Sequence, residues 1–188
     1  MKYSDELFSY NKGFVEREDY TNYQSEKYPN KKIAILTCMD TRLVQLLPAS
    51  IGVKNGDVIV IKNAGGLVSH PFGSIMRSIM VAIYQLGVEE LMIIGHDDCG
   101  MYKLDAAGFI DTMQQRGISE ETISMISYCG VDLKKWLSGF NNTEESVAET
   151  MNSIRNHPLI PRDMSISGFI INPMTGQLRK VEDDVCSK

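Results

Sequence analysis

The sequence predicts an α/β fold: a mostly parallel central sheet with flanking helices, finished at its C-terminal end by a strand or hairpin. Three observations carry this expectation. Short apolar runs recur at residues 33–38, 57–61 and 91–95, the pattern of strands buried on both faces. Between the second and third runs, Ile75, Ile79, Ala82, Ile83 and Leu86 recur at helical spacing, with Gly87 placed to cap the helix. Strand, helix and strand in that order make a right-handed βαβ unit with a parallel sheet.

The elements follow in chain order. Residues 1–30 read as a polar, partly helical N-terminal arm that ends at Tyr28-Pro29-Asn30. The first strand follows directly, and Asn55-Gly56 supplies the turn before the second. Past the third strand, residues 101–108 are expected as a short helix, and 119–135 carry a helical pattern ending at Trp136. Asn142 is placed to cap a further helix, with Glu145 at its third position. Val147, Met151 and Ile154 give that helix an apolar stripe, and Pro158 and Pro161 stop it. Residues 166–171, the turn Asn172-Pro173-Met174-Thr175-Gly176 and residues 177–181 read as strand, turn and strand. No repeat, low-complexity tract or linker divides residues 1–188, so a single domain is expected.

Bulk composition narrows the function classes. A content of 43% hydrophobic and 23% charged residues is that of a soluble globular protein. The net charge of −5 argues against nucleic acid or an anionic membrane as the main partner. No apolar run approaches a membrane span, and the acidic start has no apolar stretch behind it, so neither an anchor nor a signal peptide is expected. The four cysteines then read as free thiols in a reducing, cytoplasmic setting. Cys129 and Cys186 are expected to be ordinary thiols, and His70 and His157, each followed by proline, to be loop residues.

Two motifs carry chemistry. Cys38-Met39-Asp40-Thr41-Arg42 ends the first strand, and His96-Asp97-Asp98-Cys99 ends the third. Together they offer two thiolates and an imidazole, the donors that suit zinc. Ligands in open α/β sheets bind beyond the carboxyl ends of the strands, where both motifs sit. Three protein donors leave one tetrahedral position for water, the arrangement of a catalytic zinc. Asp40 lies two residues from Cys38 and could face the metal, with Arg42 holding its carboxylate off by paired hydrogen bonds. If that pair broke, Asp40 could take the fourth position and close the site. Each motif alone is weak, because a lone cysteine at a strand end is usually a buried apolar residue and an Asp–Arg pair a surface ion pair. Their joint placement carries the argument. Asn63-Ala64-Gly65-Gly66 is either a turn needing positive φ or a segment letting backbone approach a small substrate. A phosphatase-type Cys-x5-Arg loop is absent, since only four positions separate Cys38 and Arg42.

The set closely resembles the β-class carbonic anhydrases over residues 31–101, through Cys38-Met39-Asp40-Thr41-Arg42, Lys62-Asn63-Ala64-Gly65-Gly66 and Gly95-His96-Asp97-Asp98-Cys99-Gly100-Met101. The resemblance implies one Zn2+ per chain on Cys38, His96 and Cys99, with Asp40 and Arg42 as the catalytic dyad and Asp40 as a conditional fourth ligand in a closed state. It implies hydration of carbon dioxide to bicarbonate by zinc-bound hydroxide, in a homodimer or dimer of dimers. Two departures stand out. Lys62 replaces the Arg that members often carry, and Ile35 stands where members with a regulatory bicarbonate pocket carry Trp. Related branches hydrolyse carbonyl sulfide or carbon disulfide with the same ligands, and a non-catalytic zinc module is the remaining alternative.

Overall fold

The computed structural model describes residues 2–182, so the expectation for Cys186 lies outside the described residues. The apolar runs form β1 (Ile33–Cys38), β2 (Val58–Asn63) and β3 (Glu90–His96), joined by β4 (Ser165–Ile171) and β5 (Leu178–Val181). The sheet order is β2-β1-β3-β4-β5; only β5 runs antiparallel to its neighbour. The expected parallel sheet with a terminal hairpin is therefore present, with strand ends shifted by one or two residues.

Helices cover both faces. Side chains alternate along each strand, and alternate residues enter different cores. Ala34, Leu36, Leu91, Ile93, Ile166 and Ile170 pack with α3 (Ser74–Leu86) and α7 (Thr143–Arg155). Ile35, Ile94 and Ile171 pack instead with Leu43 and Leu47 of α2 (Leu43–Ser50). Gly87, with φ 70°, caps α3 as expected, and Asn142 Oδ1 accepts the Glu145 N–H at the start of α7. Val147, Met151 and Ile154 form the buried stripe of α7.

Three expectations need correction. The helix placed at 101–108 is instead α4 (Ala106–Gln115), capped by the Asp105 side chain on the Ala107 N–H. The backbone before it is engaged elsewhere, since the Lys103 N–H donates to the Phe140 carbonyl and the Phe140 N–H to that of Met101. The pattern over 119–135 divides into α5 (Glu120–Tyr128) and α6 (Leu133–Leu137). Gly130, at φ 89°, turns the chain between them, and Asp132 caps the second piece. Finally, α2 has no counterpart in the sequence reading. Pro48 removes one of its backbone donors, yet burial of Leu43 and Leu47 under the sheet offsets the loss.

The N-terminal arm is α1 (Tyr3–Glu16) followed by a short 3-10 turn at Asp19–Tyr23, and no residue of either is buried. No helix among the described residues is long and apolar enough to cross a membrane.

Central-strand packing sets the stability. Ile93 is fully buried on β3, whereas Met125 on α5 is 60% exposed. Chemical denaturation should show Ile93→Ala losing about 2–5 kcal/mol and Met125→Ala staying within about 0.5 kcal/mol.

Candidate metal centre

Parallel pairing brings the two motifs to one edge. Thr37 pairs with Lys62 on one side and Ile94 on the other, so Cys38, Asn63 and the Gly95-His96 step end their strands level with one another. The buried Thr37 hydroxyl donates to the Ile94 carbonyl at 2.8 Å and ties β1 to β3 there. The first reading of Asn63-Ala64-Gly65-Gly66, a turn needing positive φ, is borne out at Gly65 and Gly66. Asn63 closes the turn with its side-chain amide, donating to the Leu67 carbonyl at 2.8 Å and accepting the Leu67 N–H at 3.1 Å. Gly66 has φ 66°, and a Cβ there would meet the Cys38 nitrogen at 2.8 Å. Only glycine lets the loop lie this close to Cys38. Ala64 and Gly65 line the cavity in front of it.

Cys38, His96 and Cys99 are buried, and their donor atoms lie within 4.8 Å of one another, a group that could hold a metal ion. Cys38 Sγ and Cys99 Sγ are 3.9 Å apart. Tetrahedral zinc with Zn–S bonds of about 2.3 Å separates two sulfurs by about 3.8 Å, so the spacing fits. The orientation of the imidazole fits the same group. His96 Nδ1 lies 2.9 Å from the Asp97 carbonyl, which can only accept, so Nδ1 carries the proton. Nε2 then keeps its lone pair, and it is buried without a hydrogen-bond partner. An orphaned buried nitrogen is costly unless a ligand takes it.

Charge at the two sulfurs is coupled. Hydrogen bonding from the Cys99 thiol draws the Cys38 thiol well below the usual range, against the opposing effect of burial, with His96 and the Gly65 and Asp40 backbone adding in the same direction. That bond, together with burial, holds Cys99 up. Burial disfavours the charged imidazole of His96, but the adjacent Cys38 sulfur, the Asp97 carbonyl and the Asp40 carboxylate together raise the ring above its ordinary value. Such a cluster shares protons that a dication would displace.

Asp40 and Arg42 form the pair the sequence suggested. Arg42 Nε donates to Asp40 Oδ1 at 3.0 Å and Nη2 to Oδ2 at 2.8 Å, while the Arg42 backbone N–H adds a third bond to Oδ1 at 2.9 Å. These bonds, the guanidinium first, hold the Asp40 carboxyl down to about 2. Asp40 Oδ2 lies 3.8 Å from His96 Nε2. Arg42 also reaches the second motif, donating to Asp98 Oδ2 and to the Asp98 carbonyl, each at 2.9 Å.

Sequence reasoning missed this Asp98 contact and the cavity walls. A cavity of about 850 Å³ opens over Cys38 and Cys99, walled by Met101, Leu104, Phe109, Trp136 and Leu137. The walls come from α4, α6 and the turn before them, and nothing local marks those residues as neighbours of Cys38. His70 and His157 stay in loops, outside the three-donor group, and Cys129 is exposed.

Known proteins resemble this chain in sequence and in fold. A carbonic anhydrase family profile matches residues 33–178. YtiB of Bacillus subtilis (strain 168), provisionally named a carbonic anhydrase, is 48% identical over 178 residues, 95% of each chain. A carbon disulfide hydrolase of Acidithiobacillus thiooxidans is 30% identical over 158 residues, 80% of this chain and 77% of its own. The β-carbonic anhydrase isoform I of Trichomonas vaginalis superposes with a TM-score of 0.88 at 35% identity, over 96% of this chain and 98% of that one. The matched span begins with β1 and reaches β5, enclosing both motifs and every strand that positions them, and the chain therefore belongs to the β-carbonic anhydrase family.

Proposed function

We propose that this chain is a zinc-dependent carbonic anhydrase that interconverts carbon dioxide and bicarbonate, with one zinc held by Cys38, His96 and Cys99. One observation carries the reading: a three-donor pocket has an ionised carboxylate beside it, Asp40, held by Arg42 rather than spent as a fourth donor. A purely structural zinc closes with four protein ligands and has no need of that pair.

When bound, zinc supplies the Lewis acidity that makes a nucleophile of water near neutral pH. The chain's own residues do the rest. Asp40 accepts a hydrogen bond from the reacting water and aims its lone pair, while Arg42 keeps Asp40 ionised and turned. Met101 and Leu104, with Ala64 and Gly65, offer an apolar wall to an uncharged gas. Arg42 is matched by two carboxylates, Asp40 and Asp98, so its charge is not free to retain the bicarbonate product. Release of the proton and of bicarbonate completes the reaction.

A second reading, hydrolysis of carbonyl sulfide or carbon disulfide, draws on the Acidithiobacillus thiooxidans relative and on a cavity far larger than carbon dioxide requires. Stopped-flow assays of the zinc-loaded protein with the three gases decide between them. Carbon dioxide should be turned over fastest; preference for a sulfur-containing gas would replace the proposal with the second reading.

The same reading includes a homodimer or dimer of dimers in the cytoplasm. Its support is α1, which exposes Tyr3, Leu7, Phe8, Tyr10 and Val15, and an apolar hollow between α2 and the β2 edge. Light scattering should give a dimer or tetramer, and Leu7→Asp with Phe8→Asp should weaken it. A monomeric, fully active wild type would contradict this part.

Replacing Cys38, His96 or Cys99 by Ala should sharply lower bound zinc, read by elemental analysis; undiminished zinc in all three variants would exclude the ligand set.

Asp40→Asn should keep its zinc and lose about 10²-fold in turnover. Arg42→Ala frees Asp40 for the fourth position, so it should be full of zinc and slow. The pH dependence has a definite sign. With its folded value depressed to about 2, Asp40 stabilises the fold above its unfolded value near 3.9, and that contribution is lost as pH falls through about 2. A rate loss between about pH 8 and 5 is therefore not the protonation of Asp40, and it should persist in Asp40→Asn. Wild-type turnover in both metal-replete variants would reduce the dyad to a structural ion pair.

A further inference from the structure

One cluster beside the metal centre is unused by this mechanism. Arg179, on β5, donates from Nη1 to Asp97 Oδ2 at 2.9 Å and from Nη2 to Asp97 Oδ1 at 2.8 Å. Its Nη2 also reaches Glu144 Oε1, in the first turn of α7, at 2.9 Å. Side chains that are 47%, 37% and 43% exposed would ordinarily form an ion network of little consequence.

The position of Asp97 gives this one a different role. Asp97 follows His96 directly, and its carbonyl accepts the imidazole Nδ1–H at 2.9 Å. Its own N–H donates to the Ile171 carbonyl of β4 at 3.1 Å. The residue is thus fastened to β4 by its backbone and to β5 by its side chain, and it presents what remains, its carbonyl, to the ring. The next residue, Asp98, holds a left-handed φ of 54°, unusual for a residue with a side chain. A turn of that kind keeps its shape only when its surroundings fix it. Arg42 holds Asp98 on one side, through its carboxylate and its carbonyl, and Arg179 holds Asp97 on the other, from 82 residues further along the chain.

We propose that Arg179 is a positioning residue for the metal centre: by gripping Asp97 it fixes the carbonyl that sets the tautomer and the aim of His96. The inference rests on the zinc reading above. Partners that orient a ligand histidine are worth roughly 10–100-fold in metal affinity. Arg179, acting one step further out, should sit at the lower end.

The test compares zinc affinity, by competition with a chromophoric chelator, in the wild type, Arg179→Gln, Arg179→Lys, Asp97→Asn, Glu144→Gln and the Asp97→Asn/Arg179→Gln double variant. The absorption spectrum of the cobalt(II)-substituted proteins reports ligand geometry alongside. Arg179→Gln and Asp97→Asn should each weaken zinc about tenfold, and the double variant should be no weaker than either, because both remove one interaction. Arg179→Lys, able to make one bond in place of two, should fall between. Glu144→Gln should stay near wild type, and the cobalt spectrum should shift in Arg179→Gln while the metal-free thermal midpoint moves little. Tight zinc binding by the wild type with equal affinity in Arg179→Gln would overturn this inference alone. An equal loss in Glu144→Gln would also overturn it, by making the network merely structural. A wild type that does not retain zinc would overturn the zinc reading and this inference together. Should Arg179→Gln fail to fold, unchanged affinity in Asp97→Asn would overturn the proposal independently.

Discussion

The centre depends on the parallel register of β1 against β3. Strands aligned in parallel deliver their carboxyl ends to one edge, and here that edge receives Cys38 from β1 and His96 from β3. The Thr37 hydroxyl, buried between the two strands and donating to Ile94, makes that register costly to change. A slip of one residue would turn alternate side chains to opposite faces of the sheet. It would bury Met92 among the residues that pack on α3 and α7 and separate the donors. Metal-site geometry and core packing are therefore one constraint.

Electrostatic order grows from that edge. Two sulfurs that share protons, an imidazole with its free nitrogen turned inward and a carboxylate held aside by Arg42 form a set in which a cation could take the place of the shared protons. Arg42 joins the two motifs by gripping Asp40 from the first and Asp98 from the second. Arg179 anchors the second motif from the far end of the sheet. Two guanidiniums thus brace a site in which Cys38 and His96 end strands and Cys99 lies in the turn beyond them.

Much of this was legible in the sequence, for physical reasons. Strands buried on both faces are mostly apolar, so residues 33–38 and 91–95 announced themselves, and Cys38, His96 and Cys99 carry side chains whose chemistry is specific. Asp40 and Arg42 were readable because they are neighbours in sequence. Asp98 with Arg42, and Asp97 with Arg179, were not, because distant charged residues pair without any local signature. Residues 101–104 misled because their backbone is engaged by Phe140, and α2 was overlooked because Pro48 breaks the local rule that burial of Leu43 and Leu47 overrides. Trp136 lies inside α6 rather than at the end of one long helix, and nothing local hints that it walls the cavity.

The central claim is that Cys38, Cys99 and His96 hold one zinc and leave its fourth position to a light donor. X-ray absorption at the zinc edge of the metal-loaded protein addresses it directly. The account predicts two sulfur neighbours at about 2.3 Å and two nitrogen or oxygen neighbours at about 2.0 Å. A shell of four sulfurs, or one without sulfur, would contradict it.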